Sequence, residues 1–197
     1  KRSAAYSSLS SSSAQKRLRN YDLHKLNSIL SLLSDEVDLV EKVLYTQRNP
    51  HHRSSYFKSA TNLVRYCRNI VLITKDVTSH LTDYEPMKVA DGLLQVCNYI
   101  YKAVRQGKES SKNSSCQLAY QFYMRLCITT LGSSCRLVEL CLLLLEEIIP
   151  LQQAVVNANA GVLGEYTIPQ SILSLLSLSS AKQVNAEEHP DEVDMID

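Results

Sequence analysis

Glycine and proline are scarce in this chain, five of each in 197 residues. No stretch alternates apolar and polar residues with the Val, Ile and Thr enrichment of a strand. A sheet has little to be built from, and the expected class is all-α. Catalytic signatures are missing as well: there is no Gly-rich phosphate loop, no His-Glu-x-x-His, no Gly-x-Ser-x-Gly turn, and no histidine grouped with carboxylates inside the apolar pattern. These absences argue against an enzyme, a bound cofactor and a small-molecule substrate. Nor is there a Cys-x-x-Cys pair. The six cysteines, at 67, 97, 116, 127, 135 and 141, fall at core-like spacings and are expected to be reduced, mostly buried thiols of an intracellular protein. His51 and His52 are adjacent and diverge in direction, with no cysteine or carboxylate at the short spacing of a zinc site, so no metal is expected. The first twenty residues lack the apolar run of a signal peptide. "LVELCLLLLEEIIP" is interrupted by Glu139, Glu146 and Glu147, and its charge-free core falls well short of the ~20 residues that span a bilayer, so no membrane partner is expected.

What is present is a core and an uneven distribution of charge. The apolar fraction of 45% is that of a chain with a buried interior, and the formal charge of +1 conceals two opposed regions. The last fifteen residues, "QVNAEEHPDEVDMID", hold six acidic and no basic side chains, which leaves 21 basic and 14 acidic residues, a net of +7, in residues 1–182. A basic body implies a polyanionic partner, and a short acidic tail implies a solubilising end.

Apolar periodicity divides the chain into a four-helix bundle-like single domain with a short C-terminal helix and disordered termini. Residues 1–20, Ser-rich and ending in "QKRLRN", are expected to be a flexible basic arm; residues 21–178 form the helical domain; residues 179–197 are the acidic disordered tail. The first helix is read from Leu23, Leu26, Leu30, Leu33, Val37, Val40 and Leu44, and runs to about Tyr45. "QRNPHHRSS" reads as a short connection, and a second helix starts at Ser54 or Ser55, either of which suits a cap. Pro86 suits the first turn of a third helix, expected to stop at Gly107, with "GKESSKNSS" as a mobile linker. The fourth, from about Cys116, is the most apolar and is expected to lie at the centre, with Gly132 as a possible bend.

The stretch "VLYTQRNPHHRSSYFKSATNLVRYCRN", residues 43–69, holds cations at 48, 53, 58, 65 and 68 and no Asp or Glu. Lys58, Arg65, Arg68 and Lys75 are spaced seven, three and seven, one stripe about 100° wide on a helix. Arg48, His51, His52 and Arg53 precede that helix, where free N–H groups and the dipole favour an anion. Arginine grips phosphate through its planar fork, Asn49 and a neutral histidine can read a base edge, and Tyr56 or Tyr45 can stack. An alternative reading is a helical protein–protein adaptor in a nuclear assembly with no direct RNA contact, docking through leucines such as Leu72, Leu142 and Leu145.

"LYTQRNPHHRSSYFK", residues 44–58, resembles the signature of the RNase MRP-specific helical protein subunit of fungi and its metazoan relative, the nucleolus and neural progenitor protein. In that family an apolar helix ends in an Arg-Asn, His-Arg loop followed by an aromatic residue, here Arg48, Asn49, His52, Arg53 and Tyr56. The Leu131–Gly132 step within the long apolar helix and the segment "YTIPQSILSLL" are also similar. This chain departs in carrying Pro50 within the loop and in ending acidic. The resemblance implies a non-catalytic, RNA-binding subunit of a nucleolar ribonuclease MRP-like ribonucleoprotein that processes precursor ribosomal RNA. Its partners would be a structured non-coding RNA and other protein subunits, and any cleavage would belong to the RNA. On this reading Arg48, Arg53, Lys58, Arg65, Arg68 and Lys75 position the RNA backbone. Asn49, His51, His52 and Tyr56 meet bases or riboses, and Lys16, Arg17 and Arg19 in the arm add electrostatic reach.

Overall fold

The structure, a computed structural model, describes residues 23–176 except 84, 122, 160–162, 164 and 165. The expected arm, with Lys16, Arg17 and Arg19, and the expected acidic tail, 179–197, lie outside the described residues. Helix α1 spans His24–Thr46, the short α2 Arg48–His51, α3 Ser55–Thr82, α4 Pro86–Ala119 and α5 Met124–Ala158. A last helical segment, α6, covers residues 170–176. Among the described residues there is no strand, and the four long helices form the all-α bundle that the apolar periodicity implied.

Each long helix exists because its apolar residues recur at three and four and find a common interior. Leu26, Leu30, Leu33, Val37, Val40 and Leu44 of α1 are all buried, as are Leu63, Cys67, Ile70 and Val77 of α3. Burying a Leu or Val of this kind stabilises by about 1.5–3 kcal/mol over leaving it exposed. Pro86 opens α4, where a missing N–H costs nothing. Ser54 is the N-cap residue of α3, yet its hydroxyl turns back to donate to the His51 carbonyl at 2.7 Å instead of capping α3.

Several expectations about the second half change. Helix α4 does not stop at Gly107; it continues for twelve residues, through "KESSKNSSCQLA". Of the polar residues taken for a linker, Ser110 and Ser114 are buried in a close helix crossing. A Cβ on Gly107 would meet Val138 Cγ2 at 2.1 Å, so only glycine lets α4 and α5 approach this closely. Below it, Ser110 Oγ and Ser134 Oγ lie 2.8 Å apart and Ser114 Oγ lies 3.1 Å from Thr130 Oγ1, all four residues buried. The hydroxyls satisfy one another, so burial does not leave them unpaired. Helix α5 therefore begins at Met124, later than expected. It touches α1, α3 and α4, but the broadest interfaces belong to α4, against α3 and α5.

By length and composition α5 is apolar enough to cross a membrane. Its apolar window is 39% buried, with Leu137, Leu144, Leu145, Ile148 and Leu151 fully buried and Ile128 and Leu143 exposed. Gly132, expected as a bend, lies inside the unbroken α5 with nothing within 4 Å of its missing Cβ. The six cysteines are free, four of them buried, and the Sγ atoms of Cys67 and Cys141 lie 3.8 Å apart where α3 meets α5.

The glycines separate packing from propensity. Gly132→Ala should raise stability by about 0.5–1 kcal/mol, because it fills open space and removes backbone entropy. Gly92→Ala should lower it by about 1–3 kcal/mol, because its Cβ would meet Val77 Cγ2 at 2.3 Å and a β-branched neighbour cannot turn aside. Thermal melts followed by helical circular dichroism check both signs. Of the six thiols, Cys116 and Cys135 alone should react promptly with an aromatic disulfide reagent under native conditions; burial covers the other four and pushes the Cys97 thiol up to about 12. Six prompt equivalents without denaturant would contradict this packing.

Candidate nucleic-acid interface

The end of α1, all of α2, the start of α3, the end of α4 and the start of α5 share one end of the bundle. There the adjacent histidines part, as adjacent residues on a helical turn must. His51 points inward, 6% exposed, with Nδ1 hydrogen-bonded to the Tyr56 hydroxyl at 2.6 Å. Its ring meets Tyr123, from the α4–α5 turn, edge-on at 4.4 Å between centroids. Tyr123 and Gln121 have positive φ, 51° and 57°, an unusual conformation for residues with a Cβ. Burial pushes the Tyr56 phenol up, so the hydroxyl keeps its proton for this contact. His51 and Tyr56 are thus structural: expected to meet RNA, they instead lock the corner to the opposite turn.

The rest of the corner faces out. Arg48, Asn49, His52 and Arg53 are exposed, and Pro50, expected in a loop, lies within α2. His52 Nδ1 lies 3.1 Å from the Asn49 carbonyl, to which it donates. Of the two tyrosines considered for stacking, Tyr45 is the exposed one, at 78%, and Tyr56 is 1% exposed.

Along α3, Lys58, Arg65 and Lys75 are exposed and form no ion pair among the described residues. Arg68 breaks the expected stripe. Its Nη2 donates to Asp38 Oδ1 and to Glu41 Oε2, both at 2.6 Å, and its Nε to Glu41 Oε1 at 3.2 Å. These two carboxylates of α1 hold its pKa above the ordinary arginine value. The guanidinium ties α3 to α1, and its charge is not free for a phosphate. The reason was out of reach of periodicity within one helix, since both partners lie on another.

A second basic row was missed. Lys102, Arg105, Lys108 and Lys112 of α4 are exposed, with Glu109 as the acidic residue among them. The rows are linked across the α3–α4 seam. Arg65 Cζ lies 5.5 Å from the Tyr66 ring centroid, Tyr66 lies 6.2 Å from Tyr99, and Lys102 Nζ lies 5.2 Å from the Tyr99 centroid. The amide of Asn113 donates to Ser59 Oγ at 3.4 Å farther along. The three-residue spacing of 102, 105 and 108 was the available signal, hidden because the second half of the row was taken for a linker.

The bundle is polarised as a result. Helix α3 sets Lys58, Arg65, Arg68 and Lys75 against Asp76, and α4 sets Lys88, Lys102, Arg105, Lys108 and Lys112 against Asp91 and Glu109, a net of +3 each. Helix α1 sets Lys25 and Lys42 against Asp35, Glu36, Asp38 and Glu41, a net of −2, and α5 sets Arg125 and Arg136 against Glu139, Glu146 and Glu147, a net of −1. Several of these acids are engaged: Lys25 pairs with Glu147, and Arg136 Nε with the buried Glu36 at 3.0 Å. Among the described residues no three His, Cys, Asp or Glu side chains group as a metal site. Set against known protein families, curated proteins and solved structures, the chain matches none.

Tyr56→Phe removes a buried hydroxyl and leaves His51 Nδ1 without it, so it should cost about 1–3 kcal/mol in urea unfolding. His52→Ala, on the exposed neighbour, should change stability by less than about 0.5 kcal/mol. Equal effects of the two would remove the inward–outward division of the pair.

Proposed function

We propose that this protein is a non-catalytic RNA-binding subunit of a nucleolar ribonuclease MRP-like ribonucleoprotein, bracing a structured RNA through the corner and the outer face of α3 and α4. The observation that carries this reading is the set of outward cations without carboxylate partners among the described residues, running from Arg48 and Arg53 along Lys58 and Arg65 and across to Lys102 and Arg105. Unpaired cations release counterions when phosphates replace them, which is the main source of affinity for a nucleic-acid backbone. Rings interleaved with these cations, Tyr66 and Tyr99, fit RNA, whose unstacked bases seek flat partners. The choice of RNA, of the MRP-like particle and of the nucleolus follows the resemblance at residues 44–58. Within it Arg48, Asn49, His52 and Arg53 remain the contacting residues, and His51 and Tyr56 support them from beneath.

Of the leucines first considered for the adaptor reading, Leu72 is 53% exposed, as expected. Leu145 is fully buried and Leu142 half-buried, whereas Leu32 and Leu39, seven apart on α1, are 49% and 55% exposed. On this reading a protein partner would meet the acidic flank, with no direct RNA contact.

Arg65→Ala and Lys102→Ala should each weaken binding to a fluorescent RNA hairpin by roughly three- to tenfold near ~100 mM salt. Each should also reduce the slope of log affinity against log salt by about one. Glu139→Gln, on α5, serves as the control and should leave the affinity unchanged. Affinities that ignore both basic substitutions would remove the basis for the reading.

A further inference from the structure

We propose that the groove between α1 and α3 receives a single unstacked RNA base, with Tyr45 as its stacking wall and Arg48 and Arg65 on the flanking phosphates. This rests on the RNA reading above and names the part of the ligand that the corner selects. The groove has a volume of about 730 Å³. That lies within the range of roughly 300–1,000 Å³ typical of small-molecule sites, and leaves room for a nucleotide.

Its charges are arranged in two levels. The floor is apolar, formed by Leu44, Phe57 and Val64, each nearly buried. Beside it stand Asp38 and Glu41 with Arg68 between them, a triad of net charge −1 whose hydrogen bonds are made among its own members. The rim carries Lys42, Arg48 and Arg65, none of them in an ion pair among the described residues. An anion is attracted to the rim and repelled by the triad. A nucleotide has the matching form: phosphate stays outside, and a flat, uncharged ring enters. An amino group on that ring would find an acceptor in Asp38 Oδ2, to which Arg68 does not donate, and Asn69 and Thr61 add neutral polar contacts at the wall.

Tyr45 supplies the remaining element. A tyrosine 78% exposed at the end of a helix, lining a groove with an apolar floor, presents a ring face that no described neighbour covers. Stacking of a base on such a ring is tolerant of sequence and contributes substantially to single-strand binding. An amphipathic peptide helix fits less well, because it needs apolar contacts repeated over several turns, and three nearly buried side chains do not provide them.

The test compares two labelled probes by fluorescence anisotropy at about 50 mM salt: a single-stranded oligocytidine of about ten nucleotides and a ribose-phosphate oligomer of equal length without bases. The intact protein should bind oligocytidine about tenfold more tightly than the abasic oligomer. Tyr45→Ala should remove that difference while leaving abasic binding unchanged, and Tyr45→Trp should restore it. Tyr45 lies outside the core, so both variants should melt like the parent. Equal binding of the two probes, or an equal loss on both in Tyr45→Ala, would overturn the base site and leave the RNA reading intact. Displacement of oligocytidine by oligoglutamate at the same concentration would also overturn it, marking the rim as a general anion surface. Failure of both probes to bind would defeat both readings.

Discussion

The small-residue seam between α4 and α5 determines what the rest of this molecule can do. Gly107 against Val138, Ser110 against Ser134 and Ser114 against Thr130 let two helices meet at a distance that larger side chains forbid. A buried hydroxyl left without its partner costs about 1–3 kcal/mol, so the matched pairs hold the register of the crossing as well as its closeness. Because the seam continues past Gly107, α4 continues with it. That extension carries Lys108 and Lys112 toward the end of the bundle where α2 and α3 begin. Without it, the basic surface would end halfway along α4.

The apolar framework of the fold was legible in the chain because burial there follows a simple period. Leu26 through Leu44 and Ala60 through Val77 repeat at three and four, and the structure buries those residues. The extent of α4 was not legible, for a physical reason. Serine, glycine and asparagine are common in loops because they hydrogen-bond locally and tolerate unusual dihedrals. They are also the residues that permit a close, hydroxyl-matched helix crossing, and composition alone does not distinguish the two uses. The difference lies in Thr130, Ser134 and Val138, which are distant in sequence.

The candidate site divides along the same line. Exposure of Arg48, Arg53, Lys58, Arg65 and Lys75 agrees with their place on a polar face. Arg68 does not share their freedom, because Asp38 and Glu41 precede it by 30 and 27 residues and reach it only through helix packing. Its ion pair is partly exposed and adds little to stability, on the order of 1 kcal/mol or less. Its larger effect is spatial. The triad marks the boundary between the basic α3–α4 half and the acidic α1 flank, and such a division orients a polyanion before contact is made.

The inward turn of His51 strengthens the case for recognition at this corner. A loop that binds through every polar side chain must order all of them on binding, and each immobilised side chain costs about 0.5–1.5 kcal/mol. Here Tyr56 and Tyr123 hold His51 in advance, and the Ser54 hydroxyl donates to the His51 carbonyl on the same turn. The backbone bearing Arg48, Asn49, His52 and Arg53 is therefore fixed before any ligand arrives. His52 is held further by its contact with the Asn49 carbonyl. On the RNA-binding proposal, His51 and Tyr56 would make the contacts of their exposed neighbours less costly, and a motif of adjacent histidines would serve two purposes because its members cannot face the same way.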